Sequence, residues 1–288
     1  MKTVLYFFQF IFILFLFFIF RILGYKKSSK VSSKIVRLVG KKIRKDKIIK
    51  KNLAIINKKI DKKIINTNKV VDDVFANYGR ILSDYVFLKD FKNGSLKKYV
   101  NIKGNNYLEE IKNQNKKVVF VSGHFNNFEL MAMFLDDFGL DLCAIYRPLN
   151  NIFLNMVMER LRIKYICKNQ IKKGKSGTRE MLNHIRQNHS VALMIDQRVT
   201  EGIRCNFFDE PALTTTIPAQ IVKKYDFEIV PVHIERYDEY KFNLNIEKPL
   251  KFNENASIEE ITIELNKILE KMILKNPEEW IWSHNRWK

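Results

Sequence analysis

The amino-acid sequence predicts an α/β fold, a mostly parallel central sheet flanked by helices, with an N-terminal membrane-anchoring helix. Three observations carry that expectation. Beyond residue 116 of the 288, short apolar runs alternate with longer amphipathic segments, the pattern of strands and helices in turn. Titratable residues recur just past the ends of the apolar runs, where open α/β sheets bind ligands. Residues 4–23 form one apolar stretch interrupted only by Gln9 and Arg21.

That stretch is 20 residues long. As a helix it extends about 30 Å, the hydrocarbon thickness of a bilayer. A cleavable signal peptide would have a shorter apolar region and a small-residue cleavage site. Here the run ends instead in Arg21, Lys26 and Lys27, so residues 1–24 are read as a transmembrane or membrane-anchoring helix. A basic membrane-proximal segment follows over residues 25–66. Through Asn66, 18 Lys and Arg stand against Asp46 and Asp61, a balance of +16 out of +20 for the whole chain. Only Lys2 precedes the apolar run, so the positive-inside rule puts the body on the cytoplasmic side. Ile35, Val36, Leu38, Val39, Ile43, Ile48 and Ile49 are interspersed among the cations. This suits amphipathic helices on anionic phospholipid better than a solvated tail. A nucleic-acid partner is set aside. The charge sits beside the anchor, no nucleic-acid module is recognisable, and such a role would leave the strand ends unexplained.

The body, residues 67–288, is expected to be one domain, with upstream helices over about 34–96 packing onto it. Strands are expected at 117–121, 141–146, 163–167, 191–195, 228–234 and 242–246. Helices are expected at 127–137, 151–162, 177–187 and 219–224, with Pro218 tolerated near a helix start. Ser257-x-x-Glu260 is a capping box that opens a last helix reaching about Leu274. Cys143, Cys167 and Cys205 are an odd number, lie far apart and form no C-x-x-C, which argues against a disulfide framework. Cys143 lies in an apolar run and reads as core.

Past the first of these strands stands His124, past the second Arg147, and past the strand at 191–195 the pair Asp196-Gln197. Three strand ends thus deliver a base, a cation and a carboxylate toward one edge. His124 and Glu129 are five residues apart, which is about 140° on a helix, so they would not share a helical face. With His124 in the loop and Glu129 in the first turn of the next helix, the two can meet. Glu129 would then fix the imidazole tautomer and leave the other nitrogen free to take a proton. No serine or cysteine is supplied as a nucleophile, so the natural chemistry is direct: a substrate hydroxyl, deprotonated by His124, attacks an activated acyl carbonyl. The same spacing also fits a histidine that only completes a helix-capping loop.

These residues resemble a family. Gly123-His124-x-x-x-x-Glu129 is similar to the H-x-x-x-x-[DE] motif of glycerolipid acyltransferases. More narrowly, the chain resembles the late acyltransferases of lipid A biosynthesis, the Kdo-lipid A lauroyl/myristoyl transferase family. The likeness includes the N-terminal anchor, Tyr146-Arg147-Pro148, Asp196-Gln197 and Phe207-Phe208-x-x-Pro211-Ala212-x-Thr214. It ends in Trp280-Ile281-Trp282-x-His284-x-Arg286-Trp287-Lys288. The resemblance implies a glycerolipid-acyltransferase-like fold at the bacterial inner membrane. It implies transfer of an acyl chain from acyl carrier protein to a hydroxyacyl group of a lipid A precursor. The cofactor is none beyond the phosphopantetheine that the donor carries. By motif position His124 would be the base and Glu129 its partner, both catalytic, while Arg147, Asp196 and Gln197 would bind or support substrate. Asn126 stands where the family usually has Gly, Phe128 where it has Trp, and Asp209 where it commonly has Gly. These departures leave open the acceptor, which could be a lysophospholipid or another glycolipid, and the chain length.

Other residues fit bland roles. Lys172, Lys173 and Lys175 suit a solvated loop, His233 a core position, and Trp280 and Trp282 packing on the last helix. His184 and His189 lack a Cys or carboxylate cluster around them, and no metal is expected.

Overall fold

The computed structural model describes residues 2–43, 46–59 and 66–288. Four helices open the chain: α1 (Lys2–Leu23), α2 (Tyr25–Ile43), α3 (Lys47–Lys59) and α4 (Thr67–Asp84). Gly24, at φ +74°, takes the left-handed turn that separates α1 from α2. Phe20 is the one buried residue of α1. Among the described residues, α1 alone is long and apolar enough to cross a membrane, and it is the candidate anchor. Small side chains set the α2–α4 crossing. Ser28, Ser29 and Ser32 are buried, Ser32 Oγ donates to the Gly79 carbonyl at 2.7 Å, and a Cβ at Gly79 would lie 2.3 Å from Ser32 O. Beside that buried face, α2 leaves Val31, Ile35, Leu38 and Val39 exposed.

The chain then continues through α5 (Leu88–Asn93), β1 (Val100–Lys103), α6 (Asn105–Asn113), β2 (Val118–Ser122), α7 (Glu129–Asp137) and β3 (Leu142–Tyr146). Next come α8 (Ile152–Leu161), β4 (Asn169–Lys172), α9 (Lys175–Arg186) and β5 (Ser190–Met194). The last third holds β6 (Ile203–Phe207), β7 (Glu210–Thr214), α10 (Ile217–Tyr225), β8 (Glu228–Tyr237), β9 (Lys241–Ile246) and α11 (Ile258–Lys275). Seven strands form one sheet in the order β1-β9-β8-β2-β5-β3-β4, and β6 and β7 form a separate hairpin. Every neighbouring pair in the large sheet is parallel except β8 with β9. The expected mostly parallel sheet is therefore present. β2 lies at its centre, buried at every residue, as helices on both faces of a parallel sheet require. The expected capping box is formed at Ser257 and Glu260.

One strand was misplaced. Residues 163–167 were expected to be extended, but Arg162–Ile166 is a π-helical turn continuing α8, and the edge strand is β4. A short apolar run reads equally as strand or as buried helical turn. The actual strand needs only Ile171 buried, so its composition gives little signal. The β6–β7 hairpin was not anticipated. Its two turn residues, Phe208 and Asp209, both have positive φ, at 55° and 53°. That is the geometry of a tight hairpin turn in which both central residues are left-handed.

Candidate active site

Parallel register builds the site. Ser122 at the end of β2 lies opposite Met194 at the end of β5. Ile195 N–H still donates to Ser122 O at 2.9 Å, so the register runs on for two residues and sets His124 against Asp196. The Asp196 carboxylate accepts three hydrogen bonds: from the His124 backbone N–H at 2.8 Å, from His124 Nδ1 at 2.7 Å and from Trp280 Nε1 at 2.7 Å. A carboxylate only accepts, so Nδ1 carries the proton and Nε2 presents its lone pair. Nε2 has no hydrogen-bond partner among the described residues, and the His124 side chain is 19% exposed. Asp196 itself is buried, which would raise its pKa. The His124 ring and backbone and the Trp280 indole outweigh that and hold it at about 2. Gln197 Nε2 reaches to 3.5 Å from His124 Nδ1. Phe128 packs against the imidazole in a T-shaped contact, with centroids 4.9 Å apart.

The expected bond between His124 and Glu129 is not formed. Glu129 opens α7 and turns away, toward the π-helical turn. Its Oε1 accepts from Arg162 Nε at 2.8 Å, from Arg162 Nη2 at 2.5 Å and from the Tyr85 hydroxyl at 3.0 Å. Asp196, arriving from the neighbouring strand, already occupies the imidazole Nδ1. Glu129 and Arg162 are both buried, and the guanidinium also lies over the Tyr146 ring. Burial and the Glu129 charge push the Tyr85 phenol well above its usual range.

The C-terminal segment straps the loop from the other side. Asn126 N–H donates to Glu279 O at 3.0 Å, and Ile281 N–H donates to His124 O at 3.1 Å. His284 Nε2 accepts from Arg198 N–H at 2.9 Å and so fixes the segment after Gln197. Asn126 has φ +39°, a conformation that Gly and Asn tolerate best, and its side chain is tied to Ile234 O at 3.2 Å.

Three expected site residues, His124, Asp196 and Gln197, thus meet at the carboxyl edge of the sheet. Arg147 is exposed just past β3 on the same edge and makes no ion pair among the described residues. Glu129 sits behind the loop. Lys172 is paired with Glu159 at 3.1 Å. Sequence reasoning missed Tyr85, Arg162 and the polar role of Trp280. The tryptophan stands inside a motif of the sequence, but its apolar ring suggests packing or an interfacial aromatic and not a hydrogen-bond donor. The other two carried no local signal.

A histidine with a fixed tautomer, oriented by a buried aspartate at the carboxyl edge of a parallel sheet, is an arrangement that can accept a proton from a hydroxyl brought to its free nitrogen. The chain belongs to the bacterial lipid A biosynthesis acyltransferase family, which it matches over residues 1–288. It is 24% identical over 231 residues to the lipid A biosynthesis palmitoleoyltransferase of Escherichia coli (strain K12), covering 76% of this chain and 72% of that one. It is 25% identical over 200 residues to a lipid A biosynthesis acyltransferase of Haemophilus influenzae, covering 67% and 62%. It is 25% identical over 263 residues to lipid A biosynthesis acyltransferase 2 of Shigella flexneri, covering 88% and 81%.

Proposed function

We propose that the protein transfers a fatty acyl chain from acyl carrier protein to a hydroxyacyl group of a lipid A precursor, at the cytoplasmic face of a bacterial inner membrane. The observation that carries this reading is the unpartnered Nε2 of His124, its tautomer set by Asp196, in a chain of this family. His124 Nε2 takes the proton of the acceptor hydroxyl. The oxygen adds to the thioester carbonyl, and the tetrahedral intermediate expels the phosphopantetheine thiolate, which recovers the proton from the imidazolium. One C–O bond forms, one C–S bond breaks, and the proton ends on sulfur. Asp196 faces the imidazolium at the moment it forms, which is when a buried anion stabilises it most. No acyl-enzyme is needed. All three cysteines are buried, and burial pushes the Cys143 and Cys167 thiols up to about 12, far from a thiolate nucleophile.

The remaining residues take supporting parts. Glu129 braces the loop through Arg162 and is a positioning residue in this reading. Arg147 meets a phosphate of the acceptor, and Gln197 lines the same opening. The basic N-terminal region draws both anionic phospholipid and the acidic carrier protein.

The test is steady-state transfer from acyl carrier protein to a lipid A precursor by the full-length chain. His124→Ala should lower kcat by about 10²–10⁴, the contribution of a positioned base. Circular dichroism should stay unchanged. Near wild-type turnover by the folded variant would end the general-base assignment.

A further inference from the structure

Outside α1 and α2, seven large apolar residues are exposed among the described residues, and four of them fall close together: Leu149, Ile152, Met156 and Ile163. Ile152 and Met156 are one turn apart on α8, and Ile163 continues their stripe on the π-helical turn. Each of these three is more than half exposed, at 54%, 55% and 54%. Scattered single apolar residues are ordinary on a soluble surface, but a contiguous stripe marks a contact.

What covers the stripe is shown by what lies beside it. The ring of Phe153 on α8 packs against Phe7 and Phe10 of α1, with centroids 5.6 and 5.9 Å apart. Asn151, the N-cap of α8, donates from Nδ2 to Tyr6 O at 2.9 Å and to Gln9 Oε1 at 3.4 Å. Gln9 is the single polar residue between positions 4 and 20, and its side chain is one of the two groups of α1 that hold Asn151. At the other end of α1, Arg21 pairs with Asp90 at 2.5 Å. The 12 residues from Gln9 to Arg21 span about 18 Å of helix. An upright α1 with Arg21 at the head groups would carry the start of α8 that far inward, past the midplane of a ~30 Å core. The exposed Arg147 and Asn150 would go with it.

We propose that α1 and α8 lie side by side in one leaflet, and that the Ile152–Met156–Ile163 stripe is covered by lipid acyl chains. The inference rests on the membrane reading of α1. Arg147, Arg160 and Lys164 then sit at head-group level, their stems along the apolar surface. The β3–α8 connection borders the sheet edge that carries His124. A leaflet-seated α8 therefore turns that edge to the bilayer surface, and a lipid acceptor reaches His124 without leaving its leaflet.

Depth-dependent quenching tests this in the full-length chain. Phe12→Trp and Met156→Trp, both at exposed positions, are each placed in vesicles of phosphatidylethanolamine and phosphatidylglycerol. The acyl chains are brominated near the head group or near the terminus. Emission is compared with that of the wild-type chain, and circular dichroism confirms folding. Both added tryptophans should be blue-shifted and quenched to a similar extent by the shallow bromolipid. Quenching of Phe12→Trp alone, with Met156→Trp open to acrylamide, overturns the proposal while leaving the anchor intact. Quenching of Phe12→Trp chiefly by the deep bromolipid would show an upright helix and likewise overturn it. If neither is quenched, the anchor reading falls together with the proposal.

Discussion

Asp196 and Glu129 flank the same six-residue loop, 123–128, both are buried carboxylates, and they are held in opposite ways. Asp196 is met by a backbone N–H, an indole N–H and the imidazole Nδ1, none of them a permanently charged guanidinium or ammonium. Its charge is solvated by dipoles and stays available to a cation that forms beside it. Glu129 is met by a full guanidinium and a phenol, and its charge is cancelled before any reaction begins. A carboxylate answered by dipoles can respond to chemistry. A carboxylate answered by a fixed cation mainly holds structure. The difference is the ground on which we propose an orienting role for Asp196 and a bracing role for Glu129, although the sequence motif names only the latter.

The largest effect should come from Asp196→Asn. The amide can present either an oxygen or a donor to Nδ1, so the correct tautomer is no longer enforced, and kcat should fall by about 10²–10⁴. Combined with His124→Ala, the loss should not multiply, because the two residues act as a unit. Fully multiplicative losses would break the comparison by giving Asp196 a separate task. The measurement is initial-rate transfer by both single variants and the double.

Glu129→Ala probes the other side and should appear first in stability. Removing the carboxylate strands a buried guanidinium, at a cost of about 3–5 kcal/mol. Adding Arg162→Met should restore much of that loss, since an apolar replacement of a buried pair is often neutral. Urea unfolding measures the stability and transfer assays the function. Stability and turnover returning together would confirm a brace. Restored stability with turnover still as low as in His124→Ala would place Glu129 in the chemistry after all.

The fold was legible because its signals are local. Alternation of apolar runs, the capping box at Ser257 and the apolar β2 each depend on a few neighbouring residues. The strand-end residues were legible for the same reason, since register and sheet order turn sequence neighbours of strand ends into spatial neighbours. Partner choice was not legible. Whether His124 meets Glu129 or Asp196 depends on which strand adjoins β2, a long-range fact. Tyr85 and Arg162 reach Glu129 from 44 and 33 residues away. Two departures from the family pattern also change meaning. Asn126 and Asp209, both where Gly is usual, have φ of 39° and 53°. They are positions where the backbone needs left-handed freedom, which Asn and Asp also tolerate. Their identities therefore speak of chain conformation before they speak of the acceptor.

The smallest effect sets Asp196 against a third buried carboxylate beneath the same loop, Glu279. Its Oε1 accepts from Arg236 N–H at 3.0 Å, and neither that bond nor the nearby Asn126 side chain offsets the burial of the carboxylate. Burial therefore dominates and pushes Glu279 up to about 7 from an ordinary 4.5. The two groups should tilt stability in opposite directions. Asp196, held at about 2 against an ordinary 3.8, contributes stability that is fully present above its unfolded value and is lost as pH falls through 2. Glu279 is raised, so its protonated form favours the fold. That contribution is fully present below 4.5 and is lost as pH rises through 7. Each shift corresponds to about 2–3 kcal/mol. Urea titrations from acid to neutral pH should show Glu279→Gln flattening the decline between about pH 4.5 and 7, because a neutral amide replaces the protonated acid at every pH. Asp196→Asn should leave that decline in place and soften only the acid limb. A Glu279→Gln variant with an unchanged slope would mean that the native chain keeps Glu279 ionised at neutral pH. Dipoles and cations would then answer its charge as fully as they answer that of Asp196.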